Sequence, residues 1–93
     1  MTDALEDLAV LVKKPRPGGI TIPEALYGRA RAQLEELVFR GRNALPYVED
    51  RLVDQASSCL SMLGTPEIRG DSMASLRMRL VDTVRTATRG GAV

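Results

Sequence analysis

Histidine and tryptophan are absent from this 93-residue chain, and there is a single cysteine. Without histidine the chain lacks the usual general base near neutral pH, the Ser–His and Cys–His nucleophile pairs, and the commonest metal ligand. One cysteine closes no internal disulfide, so a reducing, intracellular compartment is the simpler expectation. Aromatic residues make up only 3% of the chain, as Tyr27, Phe39 and Tyr47, so the core must come from Leu, Val, Ala and Met. That palette favours helix on helix over a sandwich, because strands prefer β-branched and aromatic side chains. No apolar run reaches the roughly 18 residues expected of a membrane span. The start, MTDALEDLAVLV, is acidic before its apolar run, the reverse of a secretory signal, and a cytoplasmic location is expected. Net charge is only +1, so the totals point to neither a polyanionic partner nor an acidic substrate.

What is present suits one folded domain. An apolar fraction of 44% beside 27% charge is ordinary for a globular protein. A chain of this size buries only about 60–65% of its unfolded surface, so association with a second copy would add stability. The charge is unevenly placed. Residues 1–12 carry three acids and no base, and residues 13–42 seven bases against three acids. Residues 43–68 carry four acids against one base, and residues 69–93 five arginines against two acids. Such alternating blocks suit pairing between neighbouring helices as well as they suit an outside partner.

Periodicity predicts four helices. Asp3 and Glu6 form an acidic capping box ahead of Leu5, Leu8, Leu11 and Val12, giving a short first helix from about Ala4 to Lys13. KPRPGG breaks it and reads as a hinge, since each proline lacks an amide donor and restricts its predecessor. Thr21 and Glu24 form a second capping box with Pro23 in the first turn, so a long helix starts there, stapled by Ile20 and carrying Leu26, Ala30, Leu34, Leu37, Val38 and Gly41 on one face. Gly28 and Gly41 suggest a close helix neighbour or a frayed end. Asn43 is expected to take a left-handed C-terminal conformation, with a tight corner over 43–45. A third helix is expected from Pro46 to Leu63, with Val48, Leu52, Ala56, Cys59, Leu60 and Leu63 on its apolar face, stopped by Gly64 and Pro66. Asp71 or Ser72 caps a fourth, carrying Met73, Leu76, Leu80, Val84 and Ala87 and ending at Gly90 and Gly91. The expected organisation is a helical segment over 1–14, a Pro/Gly-rich basic linker over 15–20, a bundle over 21–89 and a flexible tail over 90–93.

Motifs for chemistry are scarce. Cys59 falls on an apolar stripe and reads as a packed thiol. Glu6/Asp7, Glu35/Glu36 and Glu49/Asp50 are adjacent in sequence, so on a helix each pair diverges by about 100°. PGGI lacks the Gly-Lys-Ser/Thr ending of a phosphate loop. GDSMASLRMRLVDTV, residues 70–84, is similar over about fifteen residues to the segment at which acyl and peptidyl carrier proteins attach phosphopantetheine; the resemblance implies Ser72 as the attachment point, although an Asp-Ser helix cap explains the same residues. ITIPEALYGRARAQLEELVFRGRNALPYVEDRLVDQA, residues 20–56, resembles the order of a ribbon-helix-helix repressor, which implies a dimer whose paired strands enter the major groove. There the outward positions would be Pro17, Gly19 and Thr21, of which two offer no base-reading side chain.

The fold expected is all-α, a small bundle of about four helices. The function expected is that of a non-catalytic adaptor, accessory or regulatory protein, of the kind carried by bacteria and phages, acting through self-association or a larger protein partner. A dimeric DNA-binding regulator is the alternative, and a carrier modified at Ser72 the remote one. No cofactor, metal, small-molecule substrate or membrane is expected. The residues expected to meet a partner are Leu5, Leu8, Leu11, Val12, Lys13, Lys14, Arg16, Phe39, Arg40, Arg42, Met78 and Val81, with the apolar edge residues Val53 and Met62 beside them.

Overall fold

The computed structural model describes residues 2–14, 16–44 and 49–92. Its order is α1 (Asp3–Leu11), β1 (Ile20–Thr21), α2 (Glu24–Arg42), α3 (Asp50–Met62), β2 (Glu67–Ile68), a 3₁₀ turn (Gly70–Ser72) and α4 (Met73–Ala92). The fold is an all-α bundle with one two-stranded ribbon. Each helix packs on its neighbours in sequence, and α1 closes the ring by packing on α4 as well as α2. The body measures 45 × 20 × 19 Å, its long dimension exceeding the roughly 30 Å of α2 or α4 alone.

The core follows the helical stripes. Ala30, Leu34 and Leu37 of α2, Leu52, Ala56 and Cys59 of α3, Leu63 just after it, and Met73, Leu76, Leu80 and Ala87 of α4 are all buried. Leu26, Val38, Leu60 and Val84 pack against them half-buried. α1 contributes Ala4, Leu5 and Leu8, with Val12 just past its end, all fully buried. The first helix is therefore docked on its own bundle. A nine-residue helix cannot hold itself in water, and the apolar seam between α2 and α4 supplies the surface it needs.

The linker is structured too, which departs from a free hinge. Gly19 N–H donates to the Arg16 carbonyl at 2.8 Å, closing a turn with Pro17 in its second position, where the ring presets φ. Gly19 has φ +78°, and a side chain there would run into the Ile68 carbonyl, so only glycine fits. Ile20 then pairs with Ile68 and Thr21 with Glu67 in an antiparallel ribbon, extended by Ile22 N–H to the Pro66 carbonyl at 2.8 Å. This corrects two expectations together: Ile20–Thr21 is a strand, and the Thr21/Glu24 capping box does not form. A box with Thr21 at its head would start the helix at Ile22, but the Ile22 amide is committed to Pro66 and its side chain is buried in the core. The helix begins instead at Glu24, with Pro23 as its N-cap and no side-chain cap.

Smaller departures have similar causes. The N-cap of α1 is Thr2, without a side-chain cap hydrogen bond, and the Asp3 carboxylate is held by Gln33 and Arg29 of α2. Asn43 keeps φ at −109° and accommodates the end of α2 by donating its side-chain amide to the Phe39 carbonyl at 2.7 Å. α3 starts at Asp50, and the expected corner at Leu45, start at Pro46 and apolar Val48 lie outside the described residues. α4 runs through Gly90 and Gly91 to Ala92, where a helix end and a flexible tail were expected. Gly41 confirms the close-neighbour reading: a Cβ there would stand 2.7 Å from Val53 Cγ2 of α3, and its carbonyl accepts the Glu49 N–H at 2.9 Å. Nothing lies within 4 Å of the corresponding position on Gly28.

Candidate functional site

The residues expected at one interface are dispersed by the fold. Leu5, Leu8 and Val12 are spent in the protein's own core, so in this arrangement they offer nothing to a partner. Leu11 stands at the rim of α1 with 37% of its surface exposed. Lys13, Lys14 and Arg16 are exposed beside the ribbon, where the Arg16 amide approaches the Met73 sulfur at 3.5 Å, at the start of α4. Arg40 and Arg42 lie at the other end, since the Arg40 guanidinium donates to the Ala87 carbonyl at 3.0 Å. Met73 and Ala87 are about 20 Å apart along α4, so the two sets of cations cannot act on one small ligand. Arg40 is also half-buried and engaged, so of this pair only Arg42 is exposed.

Three large apolar side chains are the most exposed of their kind among the described residues: Val10 at 71%, Phe39 at 69% and Met78 at 66%. Val53, Met62 and Val81 are half-buried. Phe39 sits level with Ala87 and Met78 about 13 Å before it along α4, so these are separate points on the surface. α1 begins level with Gln33, whose amide oxygen accepts the Ala4 N–H at 3.1 Å, so the last two turns of α2 extend beyond it. Phe39 stands on that extension, on an azimuth shared with the exposed Gly28, Ala32 and Glu35. Sequence reasoning missed Val10, because it sits inside the apolar run AVLV; its angular distance from Leu5, Leu8 and Val12 was the available signal.

The helix ends are tied by side chains of α2. Tyr27 hydroxyl (2.5 Å) and Arg31 guanidinium (2.6 Å) both donate to the Leu63 carbonyl that ends α3, with the Arg31 guanidinium 5.9 Å from the Tyr27 ring centre. Asp3 receives Gln33 Nε2 at 2.7 Å and Arg29 Nη2 at 2.5 Å; the Gln33 hydrogen bond first, then a hydrogen bond from its own backbone and the Arg29 charge, hold its carboxyl below the ordinary value. The Cys59 thiol is 3.5 Å from the Thr83 hydroxyl, and burial pushes its pKa up, so it is a protonated core group. Thr83 donates onward to the Arg79 carbonyl at 2.7 Å. Ser72 is half-buried at the entry to α4.

Clefts are shallow. One of about 290 Å³ runs over the ribbon between Gly18 and Arg69, and another of about 380 Å³ lies against Pro17, Gly70 and Asp71. A third, of about 170 Å³, separates α3 from α4 and is lined by Arg51, Gln55, Asp82, Arg85, Thr86 and Arg89. Among the described residues no three His, Cys, Asp or Glu side chains gather as metal ligands, and no helix is long and apolar enough to cross a membrane. Comparison with protein-family models, with curated proteins and with solved structures finds no match to this chain.

Proposed function

We propose that this chain is a protein-interaction module without catalytic chemistry of its own, binding a second copy or a larger protein through the face that carries Phe39, and acting in the cytoplasm. The observation that carries this reading is that the chain's one phenylalanine is 69% exposed while smaller apolar side chains fill the core. Leaving such a ring in water forgoes about 1.5–3 kcal/mol of burial, which a partner's pocket recovers. Arg42 is exposed three residues on, one helical turn away, and aromatic and arginine anchors dominate binding hot spots. Met78 and Val10 offer further contact points for a larger partner.

The DNA-binding alternative draws less support. The strand that a ribbon-helix-helix dimer pairs between subunits is paired here within one chain, and the cations expected to hold phosphates are divided between the two ends. The carrier alternative rests on Ser72, which serves here in the turn entering α4.

The test compares the wild type with Phe39→Ser by affinity capture from the native host and by light scattering over a range of concentrations. The wild type should bring down a partner or associate with itself, and the substitution should weaken either by about 30-fold or more at unchanged helicity. If Phe39→Ser keeps the same partners and the same mass, the Phe39 face is not the contact.

A further inference from the structure

We propose that the chain pairs with a second copy of itself through the outer face of α2, the two copies of α2 running antiparallel about a two-fold axis level with Gln33. This rests on the reading that the Phe39 face is a contact, and it names the occupant. α2 is flanked by α1 and α3, and its Ala30, Leu34, Leu37 and Gly41 are buried. The opposite azimuth is left to solvent, where Gly28, Ala32, Glu35 and Phe39 are all exposed.

The charges beside this stripe change sign about its midpoint. At about 100° per residue, Glu24, Arg31, Glu35 and Arg42 fall on one flank of Phe39, about 40–80° away, while Arg29 and Glu36 fall on the other. Glu24 and Arg42 lie about 13.5 Å before and after Gln33 along the helix, and Arg31 and Glu35 about 3 Å before and after it. Each acid thus has a base at the mirrored height on its own flank. Antiparallel helices related by a two-fold axis bring equal flanks together at mirrored heights. Glu24 then meets the partner's Arg42, Glu35 the partner's Arg31 and, within about one residue's rise, Glu36 the partner's Arg29, every pair formed twice. A parallel pair brings opposite flanks together at equal heights, which would set Glu35 against the partner's Glu36 and Arg31 against the partner's Arg29. An antisymmetric pattern of this kind complements itself, which contact with an unrelated protein does not require.

The apolar contact agrees with the same register. It sets the Phe39 ring, about 9 Å past the axis, over the partner's Gly28, about 7.5 Å before it. Nothing of its own chain lies within 4 Å of where a Cβ on Gly28 would stand, so the ring has room. Glu24, Glu35, Glu36 and Arg42 make no hydrogen bond or ion pair through their side chains among the described residues, and are free to pair across. Arg29 and Arg31 are engaged within the chain, on Asp3 and on the Leu63 carbonyl, but a guanidinium carries several N–H donors and has some to spare. A contact of one helix face is small, so the dimer is a micromolar one and the dilute chain is the monomer described above.

The test is sedimentation of the full chain from about 1 µM to about 1 mM, at low and high salt, with Phe39→Ser, Glu24→Arg, Arg42→Glu and the double charge reversal beside the wild type. The wild type should form dimers and nothing larger, more weakly at high salt. Glu24→Arg or Arg42→Glu alone sets like charges together twice, and each should weaken the dimer by about tenfold at unchanged helicity. Carrying both reversals should return the dimer to within about threefold of the wild type. Mixing the two single variants should give a heterodimer tighter than either homodimer, since positions 24 and 42 are then opposite in sign at both contacts. A dimer that weakens with Phe39→Ser but ignores the single reversals, or is not restored by combining them, would overturn the antiparallel pairing. A wild type monomeric throughout would also overturn it; the Phe39 reading then stands only if Phe39→Ser releases a larger protein captured from the host. A dimer that ignores Phe39→Ser would overturn both.

Discussion

The same substitution at two glycines of one helix should have opposite effects. At Gly28 an added methyl meets nothing within 4 Å, so Gly28→Ala should show the bare gain in helix propensity, about 0.5–1 kcal/mol. At Gly41 the methyl would lie 2.7 Å from Val53 Cγ2 and 3.4 Å from the Glu49 carbonyl. Val53 is β-branched and held near one χ1 rotamer by its own helix, so the relief must come from moving α3 away from α2. That motion strains the Glu49 N–H to Gly41 carbonyl bond, now 2.9 Å. Overpacking of this kind costs about 1–3 kcal/mol, and the propensity gain near the last residue of a helix offsets only part of it. Gly41→Ala should therefore destabilise by about 1–2 kcal/mol, leaving the two variants about 2 kcal/mol apart, or roughly 10 °C in midpoint for a chain of this length. Urea unfolding followed by helicity measures both. In a Val53→Ala background the penalty at Gly41 should fall by about 1 kcal/mol, since the colliding methyl is gone. If both glycine variants move in the same direction, or if removing the Val53 side chain leaves the Gly41 penalty intact, the close approach of α2 and α3 is wrong.

Two further outcomes follow from how α1 is held. Leu8→Ala should cost about 2–5 kcal/mol in urea unfolding, as for a fully buried leucine; a cost under about 1 kcal/mol, with spectra unchanged outside residues 2–14, would show that α1 is not part of the core. Asp3 has a lowered carboxyl pKa in the folded state, so its contribution is fully present above its ordinary value of 3.8 and is lost as pH falls through the lowered one. Asp3→Asn should thus be less stable than the wild type at pH 7, with a deficit that shrinks as pH falls through the lowered carboxyl value, and a deficit that does not change with pH would show that Gln33 and Arg29 do not hold the charge.

How far the sequence could be read depended on the range of the interaction concerned. Leu34, Leu37, Leu52, Ala56, Cys59, Leu76 and Leu80 were legible as core because helical burial repeats within two turns, and a stripe is visible in any window of that length. The ribbon was not legible. Ile20, Thr21 and Ile22 are β-branched, but so short a run between Gly19 and Pro23 reads equally well as a helix entry, and its partner Glu67–Ile68 lies across two helices, so no local pattern announces the pairing. That same distant pairing removed the Thr21 capping box, a case where a sound local signal lost to one backbone hydrogen bond and one buried isoleucine. The groove between α3 and α4 was half legible: the excess of arginine over residues 69–93 is in the sequence, but Arg51 and Gln55 join Arg85 and Arg89 only because α3 runs back alongside α4.

By itself, the sequence determined that the molecule is built of four amphipathic helices, with breaks at its prolines and a thiol facing inward. Those outcomes rest on propensity and on period, which act between residues a few positions apart. Only the tertiary structure decided that the first helix is part of the core, that the basic linker is bound into a ribbon, that the exposed phenylalanine stands clear of α1, and that cations from 13 to 42 separate to opposite ends. These depend on which surfaces meet, and that choice is made by burying the most apolar area around one small core while leaving the fewest backbone groups unpaired.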